Sequence, residues 1–267
     1  MARIEFGQIL AALGYRLSRR WRYDTHGDAF TAGRDSLCLR DDAGAVGLPG
    51  PDGDGAWSAR EQAAVDRGEC EAILARLLGS FCPAEAADKA RELIDAFGSL
   101  AGVFAADQAA HQRVLGTAST VPGFLETARA AFLHSLKVEL ISGPILSDSR
   151  ALRDYLFASM AHSAVEELRV LFLNSRNFLI RDQVLFRGTV SSAPVYPREI
   201  VRRAIELNAT ALIIVHNHPS GDPWPSEDDV LMTRQIASAA RTVDIILHDH
   251  IIMARSGCTS LRAIGMM

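Results

Sequence analysis

The chain is 267 residues long, 48% hydrophobic and formally −4 at neutral pH, enough for one to two domains with a sizeable core. The acidic balance gives no overall pull toward nucleic acid, and no run of about 18 apolar residues suggests a membrane span. Cys38, Cys70, Cys82 and Cys258 are scattered with no C-x-x-C pair, which argues against a disulfide scaffold or zinc knuckle and for a reducing, cytoplasmic setting.

Residues 1–57 read as a variable N-terminal segment and linker. The opening Met1-Ala2-Arg3-Ile4-Glu5-Phe6 is interrupted by charge, unlike the apolar region of a signal peptide. A helix-like pattern (Phe6, Ile9, Leu10, Leu13) and a basic stretch from Arg16 to Arg22 follow. Arg19-Arg20-Trp21-Arg22-Tyr23 mixes cations with aromatics that can touch phosphates and stack bases; more often such a run is a solvated helix end. Asp41 to Gly55, rich in Gly, Pro and Asp, marks a flexible linker.

Residues 58–140 read as a small all-helical domain. Cys70, Ile73, Leu74, Leu77 and Leu78 recur at three-to-four spacing, as do Ala90, Leu93, Ile94 and Phe97. Gly98 and Gly116 suit helix ends. Residues 146–267 then mix strand and helix signals. Strand-like runs are Leu168 to Leu173, Phe178 to Phe186, Ala211 to Val215 and Ile245 to Met253, with helices over Pro197 to Leu207 and Glu227 to Arg241. That order predicts a three-layer α-β-α core with a mixed sheet and a site at the sheet's edge. Arg198, Arg202 and Arg203 on the first of those helices could meet phosphate or an acidic partner, although a solvated face accounts for them more simply.

The run Ala211-Leu212-Ile213-Ile214-Val215 leads directly into His216-Asn217-His218. Two histidines at i and i+2 on a strand face the same side with Cα atoms ~7 Å apart, so their imidazoles can converge on one ion at about 2.0–2.1 Å. Asp229 is brought within reach by the turn-forming Pro219-Ser220-Gly221-Asp222-Pro223-Trp224-Pro225. Two nitrogens, one carboxylate and an open fourth position describe a catalytic zinc site better than a structural one. A blander explanation exists for each part. An isolated H-x-H is often a surface or core pair, and Ser226 and Asp229 read as a helix N-cap and its third residue. The two readings are compatible, since a capped helix start is a rigid platform for a ligand. A second pair, His248 and His250 around Asp249, has the same spacing but no downstream carboxylate, and suits a structural role or the orienting of a ligand.

The order His216-x-His218, Ser226, Asp229 matches the JAMM (MPN+) metalloprotease pattern. The fuller string His-Asn-His-Pro-Ser-Gly-Asp-Pro-x-Pro-Ser-x-x-Asp resembles that of the RadC family, long labelled as DNA-repair proteins. Gly188-Thr189, Tyr196-Pro197-Arg198-Glu199-Ile200, Asn208-Ala209 and Asp249-His250-Ile251-Ile252 extend the resemblance over about residues 146 to 264. It implies an MPN/JAMM-like domain with one Zn2+ per chain, held by His216, His218 and Asp229. Ser226 would help stabilise an oxyanion, and an upstream glutamate would act as general base on a metal-bound water. That glutamate is Glu166 or Glu167. Adjacent strand residues face opposite sides, so only one can look at the metal, and the resemblance favours Glu166, counting back from Asn174, which stands where RadC relatives usually have aspartate. The helical block resembles the helix-hairpin-helix domain of RadC proteins, but Val114 to Gly123 lacks their close glycine pair, is poor in cations, and loses an amide donor at Pro122.

The function implied is zinc-dependent hydrolysis of peptide or isopeptide bonds, with a peptide or protein as substrate. Two alternatives stand beside it: a repair-linked, DNA-associated metal-dependent protein, and a non-catalytic metal-binding interaction module.

Overall fold

A computed structural model of the chain describes residues 59–147, 149–188 and 196–267; the basic Arg16–Arg22 stretch, Cys38 and the linker lie outside the described residues. Two compact units divide between Ala130 and Ala131. Among the described residues no helix is long and apolar enough to cross a membrane.

The first unit is helical: α1 (Ala59–Gly79), α2 (Ala86–Phe97), α3 (Leu100–Ala105), α4 (Gln108–Leu115) and the start of α5 (Val121–Ile141). α2 buries Ala86, Ala90, Leu93 and Ile94, one stripe at helical spacing. It stops at Gly98, whose φ of 78° is left-handed and whose N–H returns to the Ile94 carbonyl, a conformation glycine adopts without steric cost. Ser99 and Asp107 cap α3 and α4 by accepting the N–H groups of Gly102 and Ala110. In α4 the buried His111 bonds the Val103 carbonyl at 2.7 Å, and burial pushes its pKa down. The segment from Val114 to Gly123 runs from the end of α4, through a turn at Gly116 to Thr120, into the first turn of α5. Pro122 sits in the first turn of α5, where a missing N–H costs no helical bond.

The second unit is α/β. After the last turns of α5 come a 3-10 turn (Ile145–Ser147), α6 (Ser149–Leu156), a π turn (Phe157–Ala161), β1 (Glu166–Leu173), β2 (Leu179–Gly188), α7 (Pro197–Glu206), β3 (Ala211–Asn217), α8 (Glu227–Arg241), β4 (Ile246–Ala254) and β5 (Gly257–Ser260). The sheet runs β2-β1-β3-β4-β5, with β3 and β4 parallel and the other pairs antiparallel. The mixed three-layer architecture expected of residues 146–267 is therefore present.

Strand alternation sends alternate residues to two cores. Leu168, Val170, Phe172, Leu212 and Ile214 pack with Ile200 and Ala204 of α7 and Ile236 and Ala240 of α8. Leu171, Leu173, Ile213 and Val215 pack on the other face with Leu136 and Leu140 of α5 and with Leu152 and Leu156 of α6. Both faces of β3 are covered and all seven of its residues are buried, which is why its sequence is an unbroken apolar run rather than an alternating one. Leu136 and Leu140 belong to this core, so the compact α/β unit begins inside α5, upstream of residue 146. β5, α6 and the π turn are eight residues or shorter, too short to be read from the sequence, although Leu152 and Leu156 of α6 stand at helical spacing. On α7, Arg202 pairs with Glu199 and Glu206 and Arg198 lies over the Tyr196 ring, as on a solvated face, whereas Arg203 pairs with Glu206 and reaches Gln183 of β2.

Candidate metal centre

His216 continues the phase of Leu212 and Ile214, so it faces the α7–α8 side of the sheet, where α8 begins. Ser226 caps α8 by accepting the Asp229 N–H at 3.2 Å, and Asp229 returns the contact by accepting the Ser226 N–H at 2.8 Å. This reciprocal box fixes the Asp229 carboxylate at the helix start. Ser226 Oγ donates its proton to Asp229 Oδ2 at 2.6 Å, so here the hydroxyl holds the carboxylate in place.

Three donor atoms meet. His216 Nε2 lies 2.9 Å from His218 Nε2 and 3.1 Å from Asp229 Oδ1, and His218 Nε2 lies 3.5 Å from Asp229 Oδ2. Among the described residues this is the one group of three or more His, Cys, Asp or Glu side chains able to hold a metal ion. Two bonds of about 2.0–2.1 Å meeting at a tetrahedral angle place their donor atoms about 3.3–3.4 Å apart, close to the separations found.

The tautomers follow from the partners. His218 Nδ1 meets the Asp222 carbonyl at 2.8 Å; a carbonyl only accepts, so Nδ1 carries the proton and Nε2 is left with its lone pair. Thr233 donates its hydroxyl proton to the Asp229 carbonyl and must therefore accept from His250 Nδ1. His250 is buried, which holds its pKa well below the ordinary imidazole value, with the neighbouring His216 acting in the same direction. Neutral, with its proton on Nδ1, it accepts from His216 Nδ1 at 2.7 Å. His216 thus also presents a bare Nε2. Two lone pairs and a carboxylate oxygen facing one another at about 3 Å repel unless a cation lies among them. The donor set fits a divalent ion, and nitrogen–nitrogen–oxygen ligation suits zinc.

Charges around the site agree with this arrangement. Burial opposes ionisation of Asp229; where protons rather than a cation neutralise the cluster, hydrogen bonds from Nε2 of His216 and His218, with that of Ser226, outweigh it and hold its carboxyl well below the usual range. The Asp229 hydrogen bond raises the pKa of His218 against burial, and Glu166 adds to that rise from across the site. Glu166 lies two residues before Leu168, the partner of His216 in the β1–β3 ladder, and so shares the face of the histidines. Glu167 faces the other way. It is buried and bonded to Arg169 at 2.8 Å and Arg187 at 3.2 Å. Arg169 in turn meets Asp182 at 3.1 Å, and Tyr155 donates to the same Asp182 oxygen.

His248 and His250 diverge, because the β3–β4 register shifts between Leu212 and Ile213. His250 turns to His216, whereas His248 bonds Asn177 in the β1–β2 turn at 2.8 Å. Asp249 accepts from Ser260 and from the Arg262 N–H, tying down the β5 end of the sheet. The sequence reading passed over Thr233. Its signal was available, since position 233 follows Asp229 by four and so shares its helical face. Thr233→Val should leave the His250 ring without its acceptor and lower metal affinity by about 10-fold or more, measured by competition with a chelator of known strength.

Comparison with known proteins adds two findings. A family model described as RadC-like JAB domain matches residues 146–266. A UPF0758 protein of Rhodobacter capsulatus is 46% identical over 178 residues, which cover 67% of this chain and 83% of that relative.

Proposed function

The chain belongs to the RadC family, and on that premise we propose that it is a zinc-dependent hydrolase of peptide or isopeptide bonds. A JAB-type domain with a His-His-Asp triad is compatible with metal-dependent hydrolysis in general; the bond cleaved and the metal are our reading. One observation carries it: two bare imidazole nitrogens and an ionised carboxylate converge, with Glu166 on the same face. A scaffold module has no use for the glutamate.

Zinc, when bound, lowers the pKa of a coordinated water toward about 7 and polarises a carbonyl. The chain's own residues supply the rest. Glu166 takes up a proton on its carboxylate and returns it to the leaving nitrogen, so no covalent adduct with the protein is needed. The His250 ring and the Asp222 carbonyl accept the Nδ1 protons of His216 and His218 and so turn Nε2 of each ring toward the centre. Ser226 is bonded to Asp229 through both its N–H and its hydroxyl, which makes it a support for the ligand rather than a nucleophile. A cavity of about 320 Å³ between the β1–β2 hairpin and α7 is lined by Leu168, Leu185, Phe186 and Ile200 together with the charged Glu199 and Arg203. Because Leu168 is the ladder partner of His216, we assign the cavity to a side chain of the substrate.

The test is a degenerate library of peptides, some joined through a lysine side chain, incubated with zinc-loaded protein and read by mass spectrometry. Cleavage that a chelator abolishes and zinc restores is expected. Fully loaded protein that cuts no member of the library would leave a metal-binding module.

A further inference from the structure

The backbone ladder between β1 and β3 ends at Leu168 and His216, just short of the two residues, Glu166 and His218, whose relative placement the chemistry needs. Past that point one side chain takes over from the backbone. Asn217 is fully buried. Its Oδ1 accepts the Glu167 N–H at 2.8 Å, and its Nδ2 donates to the carbonyl of Val165 at 3.1 Å and more distantly to that of Ser163 at 3.5 Å.

The Val165 carbonyl belongs to the peptide unit before the Glu166 Cα, and the Glu167 N–H to the unit after it. Both peptide units that flank Glu166 are thus bonded to a single amide, and that amide stands in the chain between the two histidines. We propose that Asn217 is a positioning residue, a clamp that sets the Glu166 carboxylate against the His216–His218 pair. The residue type follows from the task. An amide offers one acceptor and two donors in a fixed plane; aspartate lacks the donors, and serine or threonine has a single proton to give. The clamp also accounts for the polar residue at the end of a strand whose other buried positions, the histidine apart, are apolar.

This inference rests on the reading of Glu166 as the base at a metal centre, so its test must separate the two. The probe is the cobalt-loaded full chain, whose visible band changes with pH as solvent at the ion ionises. Glu166→Gln removes a negative charge beside the ion and should lower the midpoint of that change by about one pH unit or more. Asn217→Ala and Asn217→Ser should each still bind one cobalt per chain and lower the midpoint by most of the same shift. Adding Glu166→Gln to either should move it only to the Glu166→Gln value and no further, as for two residues acting through one group.

If Glu166→Gln shifts the midpoint and both Asn217 variants titrate like the parent, the clamp falls and the base assignment stands. If Glu166→Gln leaves the midpoint unmoved, Glu166 is not beside the ion and both fall. Loss of the folded state in both Asn217 variants would make the residue a plain structural bridge and overturn the proposal.

Discussion

His218→Ala protein should purify with well under half a metal ion per chain by elemental analysis, against one per chain for the parent. The centre has three protein ligands and no fourth side chain in reserve: among the described residues no other histidine, cysteine or carboxylate joins the group. Removing one imidazole therefore leaves a two-donor site, too weak to retain zinc through dialysis. The fold should survive, because His218 is only half-buried and its backbone N–H still bonds the Met253 carbonyl. His248→Ala supplies the control. It has the same residue type at the same kind of spacing, but its ring bonds Asn177, so metal content should stay at one. Acid should empty the site in the parent, since protons and metal compete for the same nitrogens. His218, with a pKa raised through Asp229, should begin to take up protons at a higher pH than an ordinary histidine. Metal content unchanged in His218→Ala would remove the centre altogether.

Much of that centre was legible in the chain because its parts are local. The i, i+2 histidines follow from strand period, and Ser226 with Asp229 from the chemistry of a helix start, so three ligands and their support lie within fourteen positions of one another. The remainder was hidden by distance. His250 reaches His216 only because β4 lies parallel to β3 and slips register one step earlier, which strand alternation alone does not foretell. Leu136 and Leu140 fell inside the 58–140 helical block, yet they pack under the sheet, since a helix's apolar stripe does not say which core it will join. The set of Glu167, Arg169, Asp182 and Tyr155 draws its members from α6, β1 and β2 and has no spacing of its own. Without it the two adjacent glutamates could not be told apart except by counting.

Those glutamates give the other large effect, and the two substitutions should fail in opposite ways. Glu166→Gln keeps the size and hydrogen-bonding reach of the side chain but cannot accept a proton, so it should bind one metal, unfold at the parental temperature, and lose about 10²–10⁴-fold in the rate of any metal-dependent cleavage. Glu167→Gln should do the reverse. Its carboxylate is buried against Arg169, itself mostly buried, so loss of its charge weakens a desolvated ion pair and leaves a guanidinium short of one partner. Breaking such a pair costs about 3 kcal/mol or more, or roughly 10 °C in melting temperature for a unit of this size. Activity per folded molecule should change little, because that side chain points away from the histidines. A variant pair with the losses exchanged, Glu167→Gln inactive but stable and Glu166→Gln active but unstable, would move the base to Glu167. It would also require β1 to be turned over relative to His216, against the Leu168–His216 pairing. The experiment therefore tests the register of the sheet as much as the identity of the base.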